Sequence, residues 1–366
     1  MTGGQIASAT TDMGHQGQTD GSWAADNPQA IIDFAYRAEH VTAQTAKAII
    51  AKFYGKRPAY SYFDGCSDGG REALMEAQRY PGDFDGIAAG APAQDMDVQN
   101  IFHHAWNVLT NVDGTGRYIL LADKLPLIHQ AVLAASTCLT TAEAGVVRRL
   151  HNGAVTADGK RLEPAVSHEW GSELDWTLFI PSSSYLSALD PDLSRFQRDG
   201  GKLVLWHGWG DQHISPQGTI EYYDAVQKTL GAKTTDSFAK FFLFPGVAHC
   251  GGGTGPNVFD VLTPVMAWTE SGRTPTRIVA SLTDSAGAVT RTRPVYPFPA
   301  VARYDGTGSI DSASNFVSYT PRHPVQDDFN WLGARLFSSD YQVRAEAVGP
   351  KLVLKPSTTW LTRKAG

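Results

Sequence analysis

The stretch that most limits how this chain can fold is "AYSYFDGCSDGGREALMEAQRY", residues 59–80, followed by "GIAAGAPA" from Gly86. The short apolar run up to Gly65 predicts a buried strand, Gly69 to Tyr80 a helix, and the stretch from Gly86 a second strand and a turn. Between strand and helix stands G-x-S-x-G, through Gly65, Ser67 and Gly69. A serine on such a strand-to-helix turn has its hydroxyl pushed outward. Taken alone, the motif also fits a tight structural turn.

The same alternation continues elsewhere. "DNPQAIIDFAYRAEHVTAQTAKAIIAKFYGK" predicts a helix capped by Asn27, with Pro28 in its first turn and Gly55 at its end. Ile31, Phe34, Ala38, Val41, Ile49 and Phe53 form an apolar stripe along it. From about residue 95 to 195 the pattern loosens into helical stretches and polar turns, which predicts an inserted, partly helical lid. "GGKLVLWHGWGD" and "AKFFLFPGVAHCGGG" then read as buried strands ending in Gly-rich loops, each followed by a helix. Strands alternating with helices give a mostly parallel sheet covered on both faces. The expected organisation is a core over 1–94 and 196–300, interrupted by the lid, with an irregular extension over 301–366 packing on the core. Everything after Arg273 reads as irregular.

Composition removes several function classes. The net charge is −6, with 31 basic residues among 366, so no nucleic-acid footprint appears. No apolar run is long enough to span a membrane. The start, "MTGGQIASATTDMGH", lacks the basic and apolar blocks of a signal peptide, which implies a cytoplasmic chain or one without its export segment. Cys66, Cys138 and Cys250 show no zinc spacing, and adjacent histidines such as His103 and His104 usually point apart, so no metal site is expected. Composition alone favours three buried thiols, with one disulfide and a leftover thiol as the alternative.

A serine hydroxyl needs a base to take its proton and an acid to orient that base. Asp211 follows the strand "KLVLWHGWG" and His249 follows "KFFLFPGVA". Both therefore fall where the C-terminal edge of the sheet should be, together with Ser67. The order Ser, Asp, His is that of α/β-hydrolases, which is the expected fold. Asp199 precedes its strand and is a weaker rival for the acid. His207 reads as a packed strand-end residue and His213 as a pocket-rim residue. Cys66 precedes Ser67 and Cys250 follows His249. If serine and histidine meet, these neighbours are forced together, and a disulfide between them would staple the elbow to the histidine loop.

Cys66-Ser67, the later Asp211 and His249-Cys250 resemble the motif of the tannase and feruloyl esterase family, in which the two cysteines are bonded. "TDMGHQG", "SWAADNPQAIIDFAYRAEHVTA", "GCSDGGREALMEAQRYPGDFDGIAAGAPA", "GGKLVLWHGWGDQHISP" and "FPGVAHCGGG" also look like family segments. The resemblance implies hydrolysis of aromatic-acid esters through an acyl-enzyme. Ser67 would be the nucleophile, His249 the base, Asp211 its orienter and the Asp68 N–H one oxyanion donor. Gln212 and Ile214 would contribute to the acyl-pocket wall. Trp170, Trp176, Phe179 and Tyr185 read as the lid's own core ahead of a pocket lining.

Three departures from the family accompany the likeness. The long N-terminal segment with a second oxyanion donor is missing before "ASATTD". No acidic calcium loop remains in "VLAASTCLTTAEAG", so no cofactor is expected. Cys138 lacks its family partner and is expected as a free thiol. The expected partner is a small aromatic ester, with neither nucleic acid nor membrane, and the oligomeric state is left open. Feruloyl esterase and tannase activities fit better than hydrolysis of terephthalate half-esters, for which no carboxylate-binding arginine can be assigned in the lid. A full-length form is expected to be secreted or periplasmic. The rival expectation is a weak or inactive α/β-hydrolase fold that binds aromatic ligands, because the N-terminal oxyanion segment is missing.

Overall fold

The computed structural model describes residues 6–16, 21–24, 26–96, 103–111, 119–120, 124–126, 128–129, 140–156, 158–161 and 190–322. The first helical region is built in three pieces. Helix α1, Pro28–Ile32, is capped by Asn27, whose side chain accepts from the Ala30 N–H. A π-turn, Asp33–Arg37, leads into α2, Ala38–Tyr54, which ends at Gly55 in the left-handed conformation. The π-turn lies where the buried guanidinium of Arg71 donates to the carbonyls of Ala35 (2.7 Å) and Phe34 (3.2 Å).

The core follows as β1 (Tyr62–Cys66), α3 (Asp68–Arg79) and β2 (Gly86–Gly90). After β2, helices α4 (His104–Thr110) and α5 (Thr141–Asn152) lie among the described residues. Helix α5 opens with a reciprocal capping box between Thr140 and Glu143. Leu120, Leu125, Ile128, Val146, Val147 and Leu150 form a small apolar cluster of their own there. The core resumes with α6 (Ser194–Arg198), β3 (Lys202–Gly208), α7 (Pro216–Leu230), α8 (Ala232–Phe238), β4 (Ala239–Phe244) and α9 (Leu262–Ser271). Pro216 is the first residue of α7, and Ser215 before it makes no side-chain capping bond. Asp199 falls at the C-terminal end of α6, just before the start of β3 and not at the C-terminal end of a strand.

Strands β1, β2, β3 and β4 pair in that order, all parallel. Their side chains alternate between two apolar layers, as the period of two requires. Ile87, Ala89, Leu203, Leu205 and Phe241 face a layer that includes Leu74 of α3 and Ile220 of α7. Ala88, Val204, Trp206, Phe242 and Phe244 face one that includes Val265 and Trp268 of α9. A sheet covered on both faces explains why these strands read as nearly continuous apolar runs.

Two expectations need correction. The stretch after Arg273 is not irregular throughout. It holds an antiparallel pair, β5 (Ile278–Thr283) and β6 (Val289–Val295), and a second pair, β7 (Val301–Tyr304) and β8 (Phe316–Tyr319). The first pair sends Ile278, Ala280 and Val295 into the apolar layer beside α9. These strands are short and half-exposed, so their apolar signal is weak. The second correction concerns α2, whose apolar stripe stops being a core face after Ala38. Ile49 is 62% exposed and Phe53 79%. Instead, α2 docks through polar groups: His40 (2.6 Å) and Gln44 bond the Asp83 carboxylate, and Lys47 bonds the Asp83 carbonyl. Earlier in the stripe, Ala38 is buried and Phe34 is half-buried against the cluster of Ala35 and Ile214.

Candidate active site

Ser67 joins β1 to α3 with φ 66° and ψ −118°, outside the regions comfortable for a side-chain-bearing residue. Such a conformation costs on the order of 1–3 kcal/mol and persists only where its surroundings enforce it. Here the Ser67 N–H donates to the Gly90 carbonyl (2.9 Å), and the Ser67 carbonyl accepts from Arg71 (3.1 Å) and Ala93 (3.0 Å). The crossing is too tight for side chains at two positions. A Cβ on Gly65 would lie 2.4 Å from the Gly69 carbonyl oxygen, and one on Gly70 would lie 2.3 Å from that of Gly90. Gly69, the second glycine of the motif, meets only Glu72 Oε2 at 3.9 Å. The glycine that the elbow requires at this end is Gly70.

The structure brings Ser67, His249 and Asp211 into one hydrogen-bonded line. Ser67 Oγ lies 2.8 Å from His249 Nε2, and His249 Nδ1 lies 2.8 Å from Asp211 Oδ2. Asp211 is fully buried in the turn after β3, and its other oxygen accepts the N–H groups of His213 (2.8 Å) and Ile214 (2.9 Å). Burial raises the carboxyl's affinity for a proton, but the hydrogen bonds from His207 and His249 outweigh it and hold the group below the usual carboxylate range. With Asp211 ionised, Nδ1 of His249 donates to it and Nε2 is left to accept a hydrogen bond from the Ser67 hydroxyl.

Cys66 and Cys250 are bonded, with Cα atoms 5.9 Å apart at a sequence separation of 184. The three-thiol expectation from composition is therefore overturned for these two residues. Cys138, the aromatics Trp170, Trp176, Phe179 and Tyr185 expected in a lid, and most of the stretch read for a calcium loop lie outside the described residues.

Other predicted residues occupy more specific places than sequence could assign. Asp68 is the first residue of α3, where backbone N–H groups have no acceptor within the helix. Its carboxylate bonds Arg71. Glu72, one turn on, is pushed up to about 8 by burial and by the neighbouring Asp68. Gln212 turns its carboxamide oxygen to the His249 N–H at 3.2 Å. Ile214 packs with Ala35, Ala93 and Met96. The ring of His213 meets that of His249 edge-on at 4.9 Å, and burial followed by the charge on His249 lowers its proton affinity.

A family model described as tannase and feruloyl esterase matches residues 1–168 and 166–319. The chain belongs to that family. Its membership makes it a carboxylic ester hydrolase by kind. It is 29% identical to an esterase of Xanthomonas campestris over 429 residues, covering 85% of this chain and 74% of the relative. It is 28% identical to the mono(2-hydroxyethyl) terephthalate hydrolase of Piscinibacter sakaiensis over 462 residues, covering 87% and 76%. The crystal structure of feruloyl esterase B from Aspergillus oryzae superposes with a TM-score of 0.70 at 24% identity, over 79% of this chain and 75% of that one. That likeness, with the parallel sheet and flanking helices, establishes the α/β-hydrolase fold.

The residue that sequence reading undervalued in this esterase is His207. Read as strand-end packing, it lies fully buried with Nε2 3.0 Å from the same Asp211 oxygen that His249 contacts. The available signal was a histidine inside an apolar strand, since a buried polar ring requires partners.

Proposed function

We propose that this chain is a serine carboxylesterase that hydrolyses esters of phenolic and aromatic acids through an acyl-enzyme. The observation that carries the reading is the continuous line Ser67 Oγ, His249 Nε2, His249 Nδ1, Asp211 Oδ2, with both hydrogen bonds at 2.8 Å. Family membership supports the aromatic ester as substrate class.

His249 takes the hydroxyl proton as Ser67 Oγ attacks the ester carbonyl. The developing oxyanion meets the Asp68 N–H at the start of α3, a donor of a kind worth about 10²–10³ in kcat. Collapse breaks the carbon–oxygen bond, and His249 returns the proton to the departing alcohol. Water, deprotonated by His249, then attacks the acyl carbonyl and releases the acid with Ser67 restored. Asp211 stabilises the imidazolium in both halves without itself taking the proton. Gln212 would act through the His249 backbone, and Ile214 would offer the acyl group an apolar wall. The disulfide favours an oxidising compartment, hence a periplasmic or extracellular working place.

Hydrolysis of methyl ferulate and methyl gallate by the parent and by Ser67→Ala tests the reading. The parent should turn over at least one of them, and the variant should lose on the order of 10⁴-fold or more in kcat. Parent turnover no higher than the variant's would leave an aromatic-ligand binder without catalysis.

A further inference from the structure

We propose that His207 is a positioning residue for the acid of the triad: its Nε2–H shares Asp211 Oδ2 with His249 and holds that oxygen in line with the base. The inference rests on the serine esterase reading above and adds a fourth side chain to the relay.

Nε2 of His207 lies 3.0 Å from Asp211 Oδ2 and 3.0 Å from the Ile214 carbonyl oxygen. Both partners can only accept, because a carbonyl has no proton and the carboxylate is ionised. The proton is therefore on Nε2, which donates to the two oxygens at once. Nδ1 lies 2.9 Å from Thr219 Oγ1, on the first turns of α7, and the hydroxyl can donate to it. His207 and Thr219 are both fully buried, so no solvent competes for these bonds.

The consequence lies at Asp211. Its Oδ1 takes two backbone N–H groups, and its Oδ2 takes one imidazole N–H from each side. Four donors on two oxygens leave the carboxylate a single orientation. They also divide its charge, since Oδ2 serves two rings and His249 does not receive the whole of it. Without His207, the carboxylate is freer to turn, and more of its charge acts on His249, which favours the imidazolium. The titratable groups facing this pair are Asp211, His207 and His213, with His103, just before α4, acting on His213.

Two polar substitutions separate the donor from mere packing. The amide nitrogen of glutamine can reach the place of Nε2, whereas that of asparagine reaches only the place of Nδ1. His207→Asn should keep its contact with Thr219 and lose Asp211. We expect about a tenfold fall in kcat, KM within about twofold, and the acid limb of kcat/KM moved up by roughly one pH unit. His207→Gln should stay close to the parent in all three. Equal losses in both variants, or an unmoved pH profile in His207→Asn, would assign His207 to packing and overturn the proposal. A readout that needs no turnover is the ¹⁵N spectrum of histidine-labelled parent protein. It should show the His207 proton on Nε2, and a proton on Nδ1 alone would also overturn it. A parent inactive on every ester would sink the esterase reading while leaving that spectrum to judge His207.

Discussion

Cys66 and Cys250 are bonded to each other, and they are the covalent neighbours of Ser67 and His249, whose Oγ and Nε2 lie 2.8 Å apart. The bridge therefore ties the two loops that carry the proposed nucleophile and base at the point where they meet. In the chain-entropy account, a loop closed over 184 positions is worth about 5 kcal/mol, but its placement suggests a second role in holding geometry.

Replacing both cysteines by alanine should lower the urea midpoint and also reduce kcat in the fraction that stays folded. A misplacement of about 1 Å can cost on the order of a hundredfold. Urea curves combined with kcat measured well below the midpoint check both. A fully folded double variant with parental kcat would leave the bridge a purely thermodynamic role.

The two glycines after Asp68 should behave oppositely. Gly69→Ala meets only Glu72 Oε2 at 3.9 Å and lies inside α3, so stability should hold or rise by up to about 1 kcal/mol. Gly70→Ala sets a methyl 2.3 Å from the Gly90 carbonyl oxygen and should cost about 1–3 kcal/mol as the helix is pushed off β2. Since Gly90 also accepts the Ser67 N–H, activity should fall with it. Paired denaturation curves and rates on one ester distinguish the two positions, and similar behaviour at both would contradict the elbow geometry.

Asp211→Asn should reduce kcat by about 10⁴-fold with little change in fold. The amide can no longer accept equally from both rings, and His249 loses the charge that sets its tautomer. The check is kcat alongside the circular dichroism spectrum. A loss under about tenfold would argue that Asp211 is only a turn residue.

Glu76 on α3 is buried, its two oxygens have no partner among the described residues, and burial, reinforced by Asp83, pushes its carboxyl up to about 9. The folded form then binds the proton more tightly than the unfolded chain does. Stability from this group is therefore present at low pH and is lost as pH rises from the ordinary glutamate range toward about 9. Glu76→Gln should stabilise the protein more at pH 8 than at pH 5, as read from urea midpoints. Equal gains at both would mean that Glu76 is already paired or solvated.

Much of the site was legible because its signals are local. The strand before Ser67, the turn and the helix after it lie within twenty residues, and Asp211 and His249 each end a recognisable apolar strand. The exposed stripe on α2 was misread because apolar spacing reports a face without saying what covers it. Polar docking through Asp83 depends on partners some forty residues away. Gly70 escaped notice because the motif directs attention to Gly69, while the clash that matters involves the backbone of the neighbouring strand. His207 was undervalued for a related reason: its separation of four from Asp211 is ordinary, and only the turn after β3 folds the two side chains onto one another.

The sequence by itself determined the main elements of the four-stranded core and their order along the chain, because hydrophobic period, turn chemistry and caps act over a few residues. Only the tertiary structure decided which atoms meet: one carboxylate oxygen between two imidazoles, a hydroxyl on the far side of one of them, and two sulfurs alongside. Those distances arise when parallel strands stack in register and bring their ends to one edge. Contacts between positions 67, 211 and 249 carry no local pattern from which their geometry could be read.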